Sequence, residues 1–449
     1  MGRLFGTDGV RGIANSELTP ELAFKLGKAG AYVLSKDKKK PVVIIGKDTR
    51  LSGDMLEDAL SAGILAVGGN VIKAGVLPTP AIAYLVRAYQ ADAGVVISAS
   101  HNPFEYNGIK FFNGEGFKLD DSIEDEIEDI ILRDIDVNSH VTGDKLGRCL
   151  EADEDAEGRY AEFLKSTIDT DINGIRLVLD CANGAAYSVA ERVYRELGAD
   201  VTVIGNAPDG ININDGYGST HPEKLQQEVV KQGAFLGLAY DGDADRLIAV
   251  DEKGRIIDGD KLICICAKMM KVRGQLDGDL VTATVMSNLG FHKYVDSMGC
   301  KVEVTGVGDR YVLESMLKTG CRIGVEQSGH IIFLNHTTTG DGILSSLQLL
   351  QAVLMSGKKP SELSDEIEIF PQVLRNARVK NENKRIFMED DEIKAAIAET
   401  EQAVEGSGRL LIRPSGTEPL VRVMLEGQDV KYIETLAEKL ADLLTKRFG

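Results

Sequence analysis

No stretch of this sequence approaches 18 consecutive apolar residues. The opening segment MGRLFGTDGVRG has no apolar signal core, and Gly6 stands where an acylation signal wants Ser or Thr. These absences argue against a membrane span, a secretory leader and a lipid anchor, and the expected compartment is the cytoplasm. Cysteine is sparse: Cys149, Cys181, Cys264, Cys266, Cys300 and Cys321 are scattered with no C-x-x-C pair, which excludes a dense disulfide framework and leaves reduced thiols. Low-complexity tracts are missing, so disorder is excluded. Positive charge is short, with 51 Lys and Arg against 70 Asp and Glu and a net charge of −19. Nucleic acid and anionic membranes would be repelled beyond the screening length and are not expected partners. What remains is an ordinary globular composition, 43% hydrophobic and 27% charged over 449 residues, too long for one core and long enough for three or four.

The apolar spacing alternates between two periods. PVVIIGKD (41–48) reads as strand, SGDMLEDALSAGILAVGG (52–69) as helix, NVIKAGV (70–76) as strand and PAIAYLVRAYQ (80–90) as helix, leading into GVVISASHNPFEYNGIKFF (94–112). Thr19-Pro20 predicts a further helix start, with Thr as N-cap and Pro where its missing N–H is harmless. The pattern recurs from IRLVLD (175–180) to LGLAYD (236–241). It recurs again from DLVTATVM (279–286) to RIGVEQ (322–327), with helices expected near 288–298 and 309–318. The spacing predicts three successive α/β domains with mixed, largely parallel sheets, followed by a smaller C-terminal α+β domain, around a central cleft. The boundaries are placed at 1–155, 156–255, 256–366 and 367–449.

In open parallel sheets ligands sit beyond the carboxyl ends of the strands, so the residues after each strand are searched for chemistry. Four loops stand out. Asp241-Gly242-Asp243-Ala244-Asp245-Arg246 brings three hard oxygen donors together, which suits Mg²⁺ or Ca²⁺; a solvated acidic turn is the plainer alternative. An EF-hand is excluded although Glu252 falls at the twelfth position, because Arg246 occupies the sixth, where glycine is required, and LIAVDEKGRIIDG reads as a hairpin. LIRPSGTEPLVRV supplies Arg413, Ser415, Gly416, Thr417 and Arg422, a set suited to phosphate, or else a simple turn between strands. Glu326, Gln327, Ser328 and His330 follow a third strand and suit a polyhydroxylated ring, although a lone histidine is more often structural. Ser98-Ala99-Ser100-His101-Asn102-Pro103, followed by Lys110, lacks a G-x-S-x-G elbow; a serine beside a cation loop and a phosphate grip fits phosphoryl transfer better than acyl transfer.

SASHNP, DGDADR, GVEQSGH and RPSGTEP, in that order and spread over nearly the whole chain, resemble the four signature loops of the α-D-phosphohexomutases. GTDGVRG, GSTHPE (218–223), VGDRYV (307–312) and TTTGDG (337–342) are similar to the branch of that family acting on glucosamine phosphates. One departure is Val325, where a glycine is common. The resemblance implies that Ser100 carries a transferable phosphoryl group and that Asp241, Asp243 and Asp245 hold one Mg²⁺ together with a phosphoserine oxygen. It implies further that Arg246 sits near the phosphoserine, that Glu326 and Ser328 grip sugar hydroxyls, and that Arg413, Ser415, Gly416, Thr417 and Arg422 bind the unreacting phosphate. Arg11, His101, Lys110 and His330 match positions that assist charge or proton transfer. The implied reaction interconverts glucosamine 6-phosphate and glucosamine 1-phosphate through a hexosamine 1,6-bisphosphate, supplying UDP-N-acetylglucosamine for cell-wall polymers. Hexosamine phosphates are the expected partners, with a second copy of the chain as the one protein partner considered. The segment between Gly357 and Glu366 is expected to act as a hinge. A glucose- or mannose-phosphate mutase, a non-catalytic sugar-phosphate binder and a metal-dependent phosphatase are the rival readings.

Overall fold

The computed structural model describes residues 4–6, 8–34, 38, 40–137, 140–151, 155–415 and 418–449. The chain forms two compact units, Met1–Met286 with Met298–Glu366, and Ser287–Ser297 with Ile367–Gly449.

The first unit holds three sheets built on one plan. In the first, strands Val42–Lys47, Asn70–Val76 and Ala93–Ile97 run parallel, with Val42–Lys47 in the middle, and Tyr106–Asn113 adds antiparallel to Ala93–Ile97. In the second, Arg176–Asp180, Asp200–Ile204 and Leu236–Tyr240 take those parallel places and Leu247–Asp251 the antiparallel one. In the third they are Leu280–Thr284, Lys301–Thr305 and Ile323–Val325, with Ile331–Phe333 antiparallel. The innermost strands, such as Ala93–Ile97 and Leu236–Tyr240, are buried along their whole length. That is why they read as unbroken apolar runs and not as alternating ones.

The shared plan changes where the chemistry leaves the sheet. The Ser100, acidic and His330 loops do not lead from a strand into a helix; each joins two antiparallel neighbours at the point where the parallel order ends. A hairpin connection holds both of its stems by ladder hydrogen bonds, so the loop between them starts and finishes at fixed places.

The expected helix starts are present. Thr19 caps the helix Pro20–Leu34 by accepting from the Leu22 amide at 3.2 Å. The helix expected near 288–298 is Leu289–Ser297, but it packs within the C-terminal unit, so the stretch expected to run unbroken from 256 to 366 gives up Ser287–Ser297. Asn288 explains the attachment: its side chain donates to the Phe370 carbonyl and accepts from the Phe370 amide, both at 2.9 Å. The buried Glu426 carboxylate adds a bond from the Leu289 amide at 2.9 Å. The segment expected as a hinge is helical over Pro360–Asp365 and pinned inside the first unit by Arg255, which reaches Asp365 at 2.7 Å.

The C-terminal unit is a three-stranded antiparallel sheet, ordered Gln372–Arg378, Leu420–Gly427, Gly408–Pro414, with helices Asp391–Val404 and Val430–Phe448. Its own core includes Phe387, Ile393, Val421, Val423, Leu425 and Leu440. Among the described residues no helix is long and apolar enough to cross a membrane. All six cysteines are free thiols, and only Cys149 is exposed.

Candidate active site

Ser100 is held in the left-handed backbone region at φ 51°, an unfavourable place for a serine, and is 1% exposed. Its surroundings over-determine that conformation. The Ser100 carbonyl accepts from Arg50 Nη2 at 2.9 Å and from Asn214 Nδ2 at 3.0 Å, and its amide donates to Ser98 Oγ at 3.0 Å. Ser98 in turn donates to Asp48 Oδ2 at 2.5 Å, and Asp48 receives Arg50 Nε at 2.8 Å. Arg50 also donates to the carbonyls of Asn102 and Tyr106, at 2.8 and 3.0 Å, so one fully buried guanidinium shapes the loop from inside. Gly242 lets the acidic loop approach: a Cβ there would lie 2.5 Å from the Ser100 carbonyl oxygen.

That fixed backbone aims the hydroxyl at the acidic loop, where Ser100 Oγ donates to Asp241 Oδ2 at 2.6 Å. Asp241, Asp243 and Asp245 are all buried and each offers a carboxylate oxygen within 4.8 Å of the others. Thr79 Oγ1 and Lys110 Nζ both donate to Asp243 Oδ2, at 2.6 and 2.8 Å. The Arg246 amide reaches Asp241 Oδ1 at 3.2 Å. Asp243 Oδ1 and Asp245 Oδ1 are buried yet accept no hydrogen bond from the described residues. Buried carboxylate oxygens left without donors are costly, and a hard divalent cation is the ligand that oxygen donors of this kind satisfy. The residues therefore fit Mg²⁺.

The charges around the loop sort its acids. Burial, with Asp245 and Asp243 alongside, pushes the Asp241 carboxyl well above the ordinary range. Burial also raises Asp245, but His330, Lys110 and Arg246 outweigh it and hold that carboxyl well below. Lys110 pays the same burial penalty and is still held above its usual value by Asp243, Asp8 and Asp245, which keeps it an ammonium ion. His101 is pushed down by burial and by Arg246 and Arg11. Consistently, its Nδ1 accepts from Arg246 Nη1 at 2.9 Å.

The sugar-type loop meets the acidic loop through backbone: Leu247 N–H donates to the Gly329 carbonyl at 3.0 Å. Gly329, at φ 93°, has the Leu247 oxygen 2.0 Å from where a Cβ would stand, so only glycine permits this contact. His330 Nδ1 lies 3.5 Å from Asp245 Oδ2 and its Nε2 lies 3.6 Å from Asp309 Oδ2. The Gly340 amide donates to Nε2 at 3.0 Å, which favours neutral imidazole. Burial favours it too, but the carboxylates of Asp245, Asp309 and Glu326 prevail and raise the His330 pKa. Glu326 is fixed by the Gly308 amide at 3.1 Å and Ser328 stands exposed at the loop tip. Arg11 joins this network through Asp8, to which it donates.

Arg413, Ser415 and Arg422 come together in the C-terminal unit. Arg413 and Arg422 are direct cross-strand partners, and Arg413 has no carboxylate partner among the described residues. Burial and Arg422 push the Arg413 pKa down. Like charges opposite one another destabilise a sheet unless an anion lies between them. Gly416 and Thr417 lie outside the described residues.

Sequence reasoning missed Asp8, Asp48, Arg50, Thr79, Lys118, Asn214, Asp309 and Lys384, which donates to the Ser415 carbonyl at 2.8 Å. The rule of searching after each strand, applied to Val42–Lys47, would have found Asp48 and Arg50.

Models of the phosphoglucomutase/phosphomannomutase family match nearly the whole chain in order: alpha/beta/alpha domain I over residues 2–137, domain II over 158–254, domain III over 258–370 and the C-terminal domain over 374–443. The chain belongs to the α-D-phosphohexomutases. It is an isomerase, one that moves a phosphoryl group within a sugar phosphate. The phosphoglucosamine mutase of Clostridium acetobutylicum is 57% identical over 447 residues, covering 100% of both chains, and that of Acetivibrio thermocellus is 55% identical over 450 residues with the same coverage. Among solved structures, a phosphoglucomutase/phosphomannomutase family protein from Burkholderia thailandensis superposes with a TM-score of 0.81 over 98% of each chain at 24% identity. The Aspergillus fumigatus N-acetylphosphoglucosamine mutase, in complex with GlcNAc-6P and magnesium, gives 0.71 over 99% of this chain and 96% of that one at 17% identity. These last two likenesses concern the fold.

Proposed function

We propose that the chain interconverts glucosamine 6-phosphate and glucosamine 1-phosphate in the cytoplasm, with Ser100 as the covalent carrier of the phosphoryl group and a hexosamine 1,6-bisphosphate as the intermediate. The product would feed UDP-N-acetylglucosamine synthesis. The observation that carries this reading is the Ser100 hydroxyl, fixed by Arg50 and Asn214 and donating at 2.6 Å to Asp241 inside a cluster of three buried aspartates. Relatives named for this activity at 55–57% identity over the full chain support the choice of substrate.

In this mechanism Asp241, Asp243 and Asp245 hold Mg²⁺, which supplies charge neutralisation to the phosphoryl oxygens when bound. The chain's own residues do the rest. Arg50 and Asn214 hold the Ser100 backbone so that Oγ needs no reorientation before attack. A phosphoserine there adds nearly two negative charges, which Lys110 and Arg246 face as permanent cations. His101, kept neutral by Arg246, leaves Ser100 Oγ without a competing positive charge on its 3.4 Å neighbour. Glu326 and Ser328 take the sugar hydroxyls, and His330 stands beside them to hold or pass a proton. Ser100 gives its phosphoryl to O1 of the 6-phosphate, the bisphosphate reverses its orientation, and Ser100 recovers the 6-phosphoryl group. Arg413, Ser415 and Arg422 grip the phosphate that is not reacting; Gly416 and Thr417 complete that grip in the same proposal.

Intact-mass measurement tests the covalent step. A species about 80 Da heavier, localised to Ser100 and discharged by glucosamine phosphate, is expected. A protein that turns over sugar phosphate without ever carrying that mass would refute it. Comparison of kcat/KM on glucosamine, glucose and mannose phosphates tests the substrate, and a preference for either of the last two would move the chain to another branch.

A further inference from the structure

Four ion pairs and two longer contacts of His330 form a chain that starts and ends in the acidic loop. Asp243 accepts from Lys110 at 2.8 Å, and Lys110 stands 2.9 Å from Asp8. Asp8 uses its other oxygen to accept from Lys118 at 2.6 Å, and Lys118 donates on to Asp309 at 2.5 Å. Asp309 lies 3.6 Å from His330, and His330 lies 3.5 Å from Asp245, which returns the circuit to the acidic loop two residues from its start. The members come from segments around all three sheets of the first unit: Asp8, Lys110 and Lys118 from the first, Asp243 and Asp245 from the second, Asp309 and His330 from the third.

Three members of this circuit, Asp8, Lys118 and Asp309, bond neither the acidic loop nor Ser100, and of these Lys118 and Asp309 do not bond Lys110 either. Lys118 and Asp309 have side chains 15% exposed, and their bonds go to Asp8, to each other and toward His330. Nothing in the proposed chemistry requires them. A buried ion pair is a poor way to add stability, because desolvation consumes most of the attraction, so its presence here asks for another use. A lysine stem has several rotatable bonds, and an ammonium held on one side only by Asp243 keeps that freedom. Asp8 removes it by gripping Lys110 from the second side, and Lys118 fixes Asp8. Asp309 restrains Lys118 in turn at 2.5 Å, and its carboxylate stands 3.6 Å from His330 Nε2, which accepts from the Gly340 amide.

We propose that Lys118 and Asp309 are positioning residues for the phosphoryl transfer, fixing Lys110 against the acidic loop through Asp8. The inference rests on the phosphoserine mechanism above. Both residues act through others, so their effect falls on the rate of transfer and not on affinity. Partners that orient groups contacting a reaction centre are worth about 10- to 100-fold in activity.

The test is a single-turnover measurement. Wild-type enzyme, isolated with the added mass on Ser100, is mixed with glucosamine 6-phosphate, and the transient loss of that mass, before Ser100 recovers a phosphoryl group, is followed by rapid quench; binding is measured separately by calorimetry on Ser100→Ala backgrounds. Lys118→Met is expected to slow the discharge and lower kcat by the same factor, about 10- to 100-fold, with KM and calorimetric affinity unchanged. Lys118→Arg, which keeps the charge, is expected to recover most of the rate. Asp309→Asn is the second variant and is expected to show the same split. Discharge at the wild-type rate in a folded Lys118→Met or Asp309→Asn would overturn the proposal, as would a loss confined to KM, or a Lys118→Arg no better than Lys118→Met. If Lys118→Met does not fold, the Asp309→Asn result decides. Turnover by a wild type that never carries the added mass would instead refute the phosphoserine mechanism, so the two failures are distinguishable.

Discussion

The two compact units treat charge in opposite ways. In the first, Lys110, Lys118, Arg246, Arg11 and His330 each face a carboxylate, and the site neutralises most of its own field. In the second, Arg413 faces Arg422 across adjacent strands, and only Arg422 has a carboxylate, Glu418 at 3.3 Å. A site whose charges already answer one another is set for a reaction in a defined geometry. A site whose charges repel is set to receive an anion. In the mechanism proposed above the difference separates turnover from substrate capture, and each can be perturbed alone.

The largest expected effect comes from Ser100→Ala, which should lower kcat by roughly 10⁴-fold or more while calorimetric affinity for glucosamine 6-phosphate stays near wild type. Residual turnover close to wild type would place the chemistry elsewhere. Next, the units should differ in what they lose with a cation. Lys110→Ala leaves Asp8 and Asp243 facing an empty, desolvated space and should cost about 3–5 kcal/mol of unfolding free energy in denaturant titration. Arg413→Ala removes a repulsion and should leave stability unchanged or slightly raised; a loss comparable to that of Lys110→Ala would erase the contrast. The same Arg413→Ala substitution should raise KM through the loss of a charge-assisted bond of about 1.5–3 kcal/mol, with a smaller change in kcat. Removing divalent cation by chelation should stop turnover reversibly, and restoring Mg²⁺ should raise the melting temperature of the wild type but not of an Asp243→Asn/Asp245→Asn variant.

The smallest effect concerns pH. Burial raises the Asp180 carboxyl to about 6 despite its bonds from the Gly218 and Ala182 amides. The folded state therefore holds that proton after the unfolded chain has released it, and the stability this confers is lost as pH rises through about 6. Burial, and then Arg409, lower His292 in the C-terminal unit to about 4. The unfolded chain takes up that proton first, so this unit weakens as pH falls from about 6.5 toward 4. Hydrogen exchange resolved by segment across that range should show protection falling around Leu289–Ser297 but not around Arg176–Asp180, and His292→Gln should remove the fall.

Much of this arrangement was legible before any coordinates. Apolar runs such as LGLAYD and helix starts such as Thr19-Pro20 announce their elements because burial and capping act over a few residues. The aspartates at 241, 243 and 245 suggest a cation site or a solvated acidic turn, and their burial together, each with an oxygen within 4.8 Å of the others, favours the former. The loop type was not legible: Ser100, the acidic loop and His330 lie beyond parallel strands as expected, but each leads into an antiparallel neighbour, a matter of which strands pair. The helix Leu289–Ser297 carries no mark of the unit it joins, since Asn288 finds Phe370 82 residues away.

The sequence by itself determined the elements, the four chemical loops and the family, all of which rest on local pattern and residue type. Only the tertiary structure decided that Ser100 meets Asp241 across 141 residues and that Lys118 meets Asp309 across 191. A carboxylate and an ammonium attract wherever they lie in the chain, but desolvation makes the pairing worthwhile only where packing has brought both out of water. Packing of this kind is a property of the whole fold and of no single segment.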